Sequence, residues 1–202
     1  MANFTVTNLN DSGVGSLRAA IQATNAGPAG VANTISFSPG LTGTISLASD
    51  LPAISRQTAI VSGSTTTGTA PTIGIDFNGH AGLVFAAGSD GSQLVGLSVG
   101  NAHGNGITLN ASNVTLNNNY VGVGLNGAQR ANSGDGVYVA ATSSGNNIGS
   151  NPDALGAVSN VISGNGGNGI SLHGSLTNTI VSNRIGTSVD GTTAMGNGGN
   201  GI

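Results

Sequence analysis

The heptapeptide Gly-Asn-Gly-Gly-Asn-Gly-Ile at 164–170 returns unchanged at 196–202, 32 residues later. A fixed period of this size is the mark of a repeat architecture, and it constrains the fold more than any other feature of the chain. The columns continue upstream. Leu94, Leu116, Ile148 and Ile180 form one, Leu97, Asn119 and Asn183 a second, Val99, Val121 and Ile185 a third, and Gly100, Gly122 and Gly186 a fourth. Asn160, Ile162 and Ser163 fill the last three if an insertion follows Ile148. A Gly-(Asn/Asp)-Gly-(Ile/Val) column recurs at 104–107, 134–137, 167–170 and 199–202.

Leu94 to Leu116 is 22 residues, and the next two steps are 32 each. The spacing predicts a 22-residue coil that carries about ten further residues as an outward loop, at 123–132, 149–159 and 187–196. The 22-residue step is also expected from Ile75 to Leu97, Phe77 to Val99 and Phe85 to Ile107.

The coils are β, not α. Val114-Thr115-Leu116, Ile107-Thr108-Leu109, Val137-Tyr138-Val139 and Ile170-Ser171-Leu172 alternate with period two and are rich in β-branched residues. With 36 Gly in 202 residues an α-helical repeat is excluded, because each Gly costs a helix roughly 1 kcal/mol against Ala. Gly and Asn instead accept the left-handed backbone of sharp corners. Coils stacked about 4.8 Å apart place each residue over its counterpart. The column Asn119, Asn160, Asn183 is therefore an expected buried asparagine ladder, with Leu97 at its start.

The fold read from these patterns is all-β: a right-handed, single-stranded parallel β-helix in one domain, 1–202. Its N-terminal cap is 1–30, with a helix over 16–26; first irregular coils span 31–72 and regular coils with inserted loops 73–202. Residues 4–7 read as a first strand and 10–13 as a turn. Ser16 is the expected N-cap, Leu17, Ala20, Ile21 and Thr24 line one helical face, and Gly27-Pro28 ends the helix. Such a helix would cover the open end of the core. Strands follow at 33–37 and 43–47, then 51–54 and 59–61, with a Ser/Thr/Gly-rich loop at 62–71.

The segment Gly15-Ser16-Leu17-Arg18-Ala19-Ala20-Ile21 resembles the CSLREA-type opening of bacterial right-handed parallel β-helix proteins. Residues 35–37, 41–47 and 51–52 look like the first coils of those proteins, and 160–170 looks like their repeat. The chain departs from the pattern before Ser16, where Cys is usual, and at Ala19, where Glu is usual. The resemblance implies a secreted or cell-surface, adhesin-like protein, and the fold more firmly than any activity.

Composition narrows the chemistry. Acids are Asp only and bases Arg only, charged residues make up 5%, and the net charge of −3 gives no reason to expect nucleic acid or an anionic membrane. Cysteine is absent, so there is neither a disulfide nor a thiolate site. No 18-residue apolar run or signal peptide is present, so export would rest on a leader absent from this sequence.

Carbohydrate-active β-helix enzymes need clustered carboxylates. Asp11, Asp50, Asp76, Asp90, Asp135, Asp153 and Asp190 are dispersed, and Asp11, Asp90, Asp135 and Asp190 sit beside Gly or Ser as turn residues do. Asp76, in a strand, is the remaining candidate, with Ser98 expected one coil above. The glycine run at 166–170 resembles a calcium-binding roll, but Ser171 stands where Asp is needed. Arg18 is read as covering the cap with its stem while its head stays wet. Arg56, Arg130 and Arg184 are read as surface charges. His80, His103 and His173 share no column, and Tyr120 and Tyr138 make a sparse carbohydrate platform. Glycosylation patterns at Asn3, Asn10, Asn110 and Asn113 fit chance in so Asn-rich a chain. The outward column Thr108, Tyr138, Ser171 is too irregular for an ice-binding face.

No catalytic, cofactor-binding or metal-ligating residue is therefore assigned. The leading reading is a non-enzymatic, extracellular or cell-surface module that binds a glycan or a host or cell-surface protein through its loops. The alternative is a polysaccharide lyase or hydrolase using Asp residues in a groove. The chain stops at Ile202 in mid-repeat, which predicts a fragment of a longer protein and a homodimer through the uncapped last coil.

Overall fold

The computed structural model describes residues 1–62, 69–149, 159–173 and 177–202. In chain order the elements begin with β1 (Ala2–Val6), α1 (Leu17–Ala26), β2 (Asn33–Phe37), β3 (Gly43–Ser46), β4 (Thr58–Val61) and β5 (Ile73–Asp76). They continue as β6 (Leu83–Phe85), β7 (Gln93–Val95), β8 (Leu97–Gly100), β9 (Ile107–Leu109), β10 (Thr115–Asn117) and β11 (Tyr120–Val121). The last are β12 (Val137–Val139), β13 (Asn147–Ile148), β14 (Val161–Ile162), β15 (Ile170–Leu172), β16 (Thr179–Ile180) and β17 (Arg184–Ile185).

These strands form three parallel sheets: A (β1-β2-β4-β7-β10-β13-β16), B (β3-β5-β8-β11-β14-β17) and C (β6-β9-β12-β15). From β2 onward the chain visits A, B and C in turn, with Ile54, bridged to Phe85, standing for the first strand of C. The described residues thus form an all-β parallel solenoid with one helix. Winding starts at β2.

The core is a set of stacked aliphatic columns. Ile35, Ile60, Leu94, Leu116, Ile148 and Ile180 stack in sheet A. Ile45, Ile75, Val99, Val121, Ile162 and Ile185 stack in sheet B. Phe85, Leu109, Val139 and Leu172 stack in sheet C. All but the last member of each column are buried, and each buried side chain contributes roughly 1.5–3 kcal/mol of transfer free energy.

One expected register is corrected. Ile75 pairs with Val99, not Leu97, and Phe85 with Leu109, not Ile107. The step is 24 residues there because the corner from sheet C to sheet A runs over 86–92, against 110–114 in the next coil. Asp76 accordingly lies beside Gly100, and Ser98 beside Gly74.

The corners are held by asparagine. Asn160 Nδ2 donates to Asn183 Oδ1 at 2.8 Å, and Asn119 Nδ2 to Asn160 Oδ1 at 3.1 Å. Leu97 N–H closes this ladder on Asn119 Oδ1 at 3.1 Å. Asn119 and Asn160 are buried, while Asn183, in the last coil, is only half-buried. The other two corners carry ladders of their own: Asn132–Asn165–Asn197, with 2.9 Å amide-to-amide bonds, and Asn146–Asn178 at 3.0 Å.

Helix α1 starts at Ser16, whose Oγ accepts the Ala19 N–H at 3.2 Å, and ends at Gly27. Leu17, Ala20 and Ile21 join the same core cluster as Val6 and Ile35. The head of Arg18 is not wet. Its guanidinium donates to Asp11 O, Asp11 Oδ1, Ser49 O and Asp50 O, and its side chain is only 12% exposed. Arg56 Nε donates to Gly27 O at 3.1 Å, and Asn25 Nδ2 to Ala53 O at 2.7 Å. The helix is pinned to the first coil at both ends.

Candidate functional site

Two departures from pure repetition share one corner, where sheet B hands over to sheet C. In the coil of β14 the chain passes from Ile162 through Ser163 and Gly164 directly to the ladder residue Asn165. In the coils below and above, loops intervene before Asn132 and Asn197: 123–131 (loop 1) and 187–196 (loop 2). Each folds as a small hairpin, bridged Val123 to Gln129 and Thr187 to Ala194. Each turns on a left-handed glycine, Gly127 at φ 77° and Gly191 at φ 78°. In loop 1 Asn126 Oδ1 accepts the Ala128 N–H; in loop 2 Asp190 Oδ1 accepts the Thr192 N–H at 3.0 Å. Hydrogen bonds from the Ser188 hydroxyl above all, then from the Thr192 N–H and the Thr192 hydroxyl, lower the Asp190 pKa to about 2. The loops sandwich the coil between them. Gln129 Nε2 donates to Gly164 O at 2.7 Å, and Gly164 N–H to Met195 O at 2.9 Å.

Both loops fold back over the outer face of sheet B. Its outward column runs Thr44, Gly74, Ser98, Tyr120, Val161, Arg184. Leu125 of loop 1 rests on Gly74, where a Cβ would meet Leu125 Cγ at 3.4 Å and Thr44 Oγ1 at 3.1 Å. Gly100 is bare for the same reason, since a Cβ there would lie 2.5 Å from Arg130 O. Arg130 Nη1 donates to Asp76 Oδ2 at 2.9 Å, while Asp76 Oδ1 accepts Asn101 Nδ2 at 3.0 Å and Asn78 N–H at 2.9 Å. Between loop and sheet lies a cleft of about 240 Å³, lined by Thr44, Gly74, Ile75, Ser98, Leu125, Asn126 and Arg130.

Loop 2 repeats the arrangement further along the stack. Val189 stands in the place of Leu125, over a smaller cleft with Tyr120, Val161 and Arg184 on its floor and Asn118 and Ser159 on its wall. Arg184 Nη1 donates to Val189 O. Burial pushes the Tyr120 hydroxyl above its usual pKa, and the Arg184 charge partly opposes this.

The acids singled out from sequence hold structure together. Asp11 pairs with Arg18. Its burial would raise its pKa, but the Arg18 and Ala48 hydrogen bonds and the Arg18 and His80 charges outweigh that and hold it low. Asp50 accepts the Ala81 N–H, Asp90 the Ser112 N–H and Asp135 the Asn168 N–H. Asp153 lies outside the described residues, as do 150–158 of the expected third loop and 63–68 of the loop expected over 62–71.

The arginines read as surface charges are instead struts. Arg56 ties down α1, Arg130 ties loop 1 to sheet B, and Arg184 ties sheet B to loop 2. His103 N–H donates to His80 O at 2.9 Å, so these two share a corner, while the His173 ring stacks on Tyr138 at 4.6 Å and meets Ser171 Oγ at 3.0 Å. No group of three metal-ligating side chains occurs among the described residues. No helix of the described residues is long and apolar enough to cross a membrane.

Sequence reasoning found the loops but not what they build. The pairing of Arg130 with Asp76 spans 54 residues and has no local signal. The shared hydrophobe-(Asn/Asp)-Gly tips of 125–127 and 189–191 were the available clue. A scan of protein-family models and a search of curated proteins return no match to this chain.

Proposed function

We propose that this chain is a right-handed parallel β-helix that acts without catalysis, as a secreted or cell-surface, adhesin-like binding module. Its stacked loops on sheet B contact a glycan or a protein on a cell surface. The observation that carries this reading is the pair of equivalent loops folded over one face, each enclosing a cleft of mixed polar and apolar character on a rigid stack. The described aspartates support it, since every one already accepts hydrogen bonds from neighbouring coils, turns or arginines. A carboxylate so engaged is poorly suited to moving protons.

The β14 coil supplies the template for a test. Replacing 122–131 and 186–196 by the Ser-Gly that bridges Ile162 to Asn165 should keep the stack and remove both clefts. Fluorescent protein should label a subset of glycans or of cells, and the double-shortened variant should lose that labelling with unchanged circular dichroism. Equal labelling by both proteins would refute the assignment to the loops.

A further inference from the structure

We infer that the loop 1 cleft is a subsite for a carboxylate-bearing sugar residue, an inference that rests on the glycan-binding form of the reading above. Thr44 Oγ1 makes no hydrogen bond to any described residue, and neither does Asn126 Nδ2. Arg130 spends Nη1 on Asp76, and its Nε and Nη2 edge is bonded to no described residue. Ser98 gives its proton to Val123 O at 2.7 Å. The cleft thus offers a hydroxyl, an amide N–H and a guanidinium edge around one space, and none of its lining residues is an acid.

A surplus of donors selects a ligand rich in acceptors. The planar guanidinium edge matches the two oxygens of a carboxylate, which Lys cannot reproduce. Leu125 supplies an apolar wall suited to the C–H face of a sugar ring. At about 240 Å³ the cleft is smaller than the roughly 300–1,000 Å³ of drug-sized sites, so it holds one ring and not an oligosaccharide. The Asp76 pair fixes the guanidinium before any ligand arrives, which reduces the ordering cost of binding. The same pair offsets its charge, so the affinity for a single ring is weak, with a Kd of about 1 mM.

The experiment is a titration of the isotope-labelled full chain, followed by NMR, with glucuronate, glucose and acetate in parallel. Glucuronate should shift the Asn126 side-chain amide, the Arg130 Nε–H and the Leu125 methyls. Acetate should act about tenfold more weakly, because it lacks the ring, and glucose should be silent. Arg130→Lys keeps a cation beside Asp76 and should weaken glucuronate about tenfold. Thr44→Val removes a hydroxyl that bonds to no described residue, so a weakening there comes from the ligand and not from misfolding. Equal shifts from glucose and glucuronate, undiminished binding by Arg130→Lys, or silence from glucuronate well above 1 mM would each overturn the inference. If glucuronate is silent while array or cell labelling is still lost on loop shortening, the subsite is wrong and the binding-module reading stands. If glucuronate binds but loop shortening leaves labelling intact, the reverse holds.

Discussion

Replacing Asn160 by Ala removes the central rung of the ladder between sheets A and B. The Asn160 side chain is buried and makes four hydrogen bonds. Oδ1 accepts Asn119 N–H at 2.9 Å and Asn119 Nδ2 at 3.1 Å, while Nδ2 donates to Leu116 O at 3.0 Å and Asn183 Oδ1 at 2.8 Å. Their loss is unequal. Leu116 O still accepts Gly149 N–H, and Asn183 is half-buried and can reach water. The Asn119 backbone N–H and one of its Nδ2 protons are left buried without acceptors. At about 1–3 kcal/mol for each of these two orphaned groups, the variant should lose about 2–6 kcal/mol, a large share of the roughly 5–15 kcal/mol of a typical domain. Asn183→Ala should cost about 1 kcal/mol, because its groups can hydrate. Urea unfolding followed by circular dichroism measures the loss, and hydrogen exchange at the Asn119 amide localises it. Equal losses for the two variants, or an unchanged Asn119 exchange rate in Asn160→Ala, would show that the ladder does not carry the stability assigned to it.

Three further outcomes follow from particular contacts. The Asp190 carboxyl has a folded pKa of about 2, below its ordinary value of 3.8. Its stabilisation of loop 2 is therefore complete above about pH 4 and fades as the pH falls through 2, which a pH titration of the Thr192 amide resonance should trace. Arg18→Met should cost about 2–3 kcal/mol by leaving carbonyls of Asp11, Ser49 and Asp50 without their donor, with faster exchange confined first to α1. Gly82→Ala should be more damaging than Gly13→Ala. A Cβ at 82 would lie 2.0 Å from Asn105 O and must prise two coils apart, whereas at 13 it meets nothing within 4 Å and costs only about 1 kcal/mol of left-handed strain; thermal unfolding should rank them in that order.

What could be read in the sequence was whatever the stacking repeats. The columns led by Leu94, Val99 and Asn119 were legible because a parallel stack demands the same side chain every coil. The register of β5 on β8 was not, because two extra residues in one corner leave every strand looking normal. The other two ladders were present as Asn165 and Asn197, and as Asn146 and Asn178, at the repeat spacing. They were hidden because asparagine also serves left-handed corners, as Asn101 and Asn118 do at φ 61° and 57°. Dispersed charges gave no hint of the arginine struts, since each bond joins a non-repeating piece to a coil and so appears only once. The candidate site was half legible: its loops are insertions in the period, but its floor depends on Gly74 and Gly100, whose bareness makes sense only once Leu125 and Arg130 lie over them.

The ladder at the loop corner explains how such a site can exist on a stack this regular. Asn132, Asn165 and Asn197 are joined amide to amide, yet the chain reaches them by routes of different length, two of them through loops. Asn165 also donates to Val121 O and Asn197 to Ile162 O, each locking the residue after the corner to the strand before it one coil away. The register of sheet C is therefore set by the asparagine, not by how the chain arrives. A loop added at this corner changes the surface of sheet B without moving a core column. Loop-bearing coils also need something to stop the insertion from swinging free, and that is where this charge-poor chain places Arg130 and Arg184. Shortening loop 1 alone should thus leave the Asn132 and Asn165 side-chain amides as slowly exchanging as before. Faster exchange at those amides would mean that the loop, and not the ladder, holds the corner.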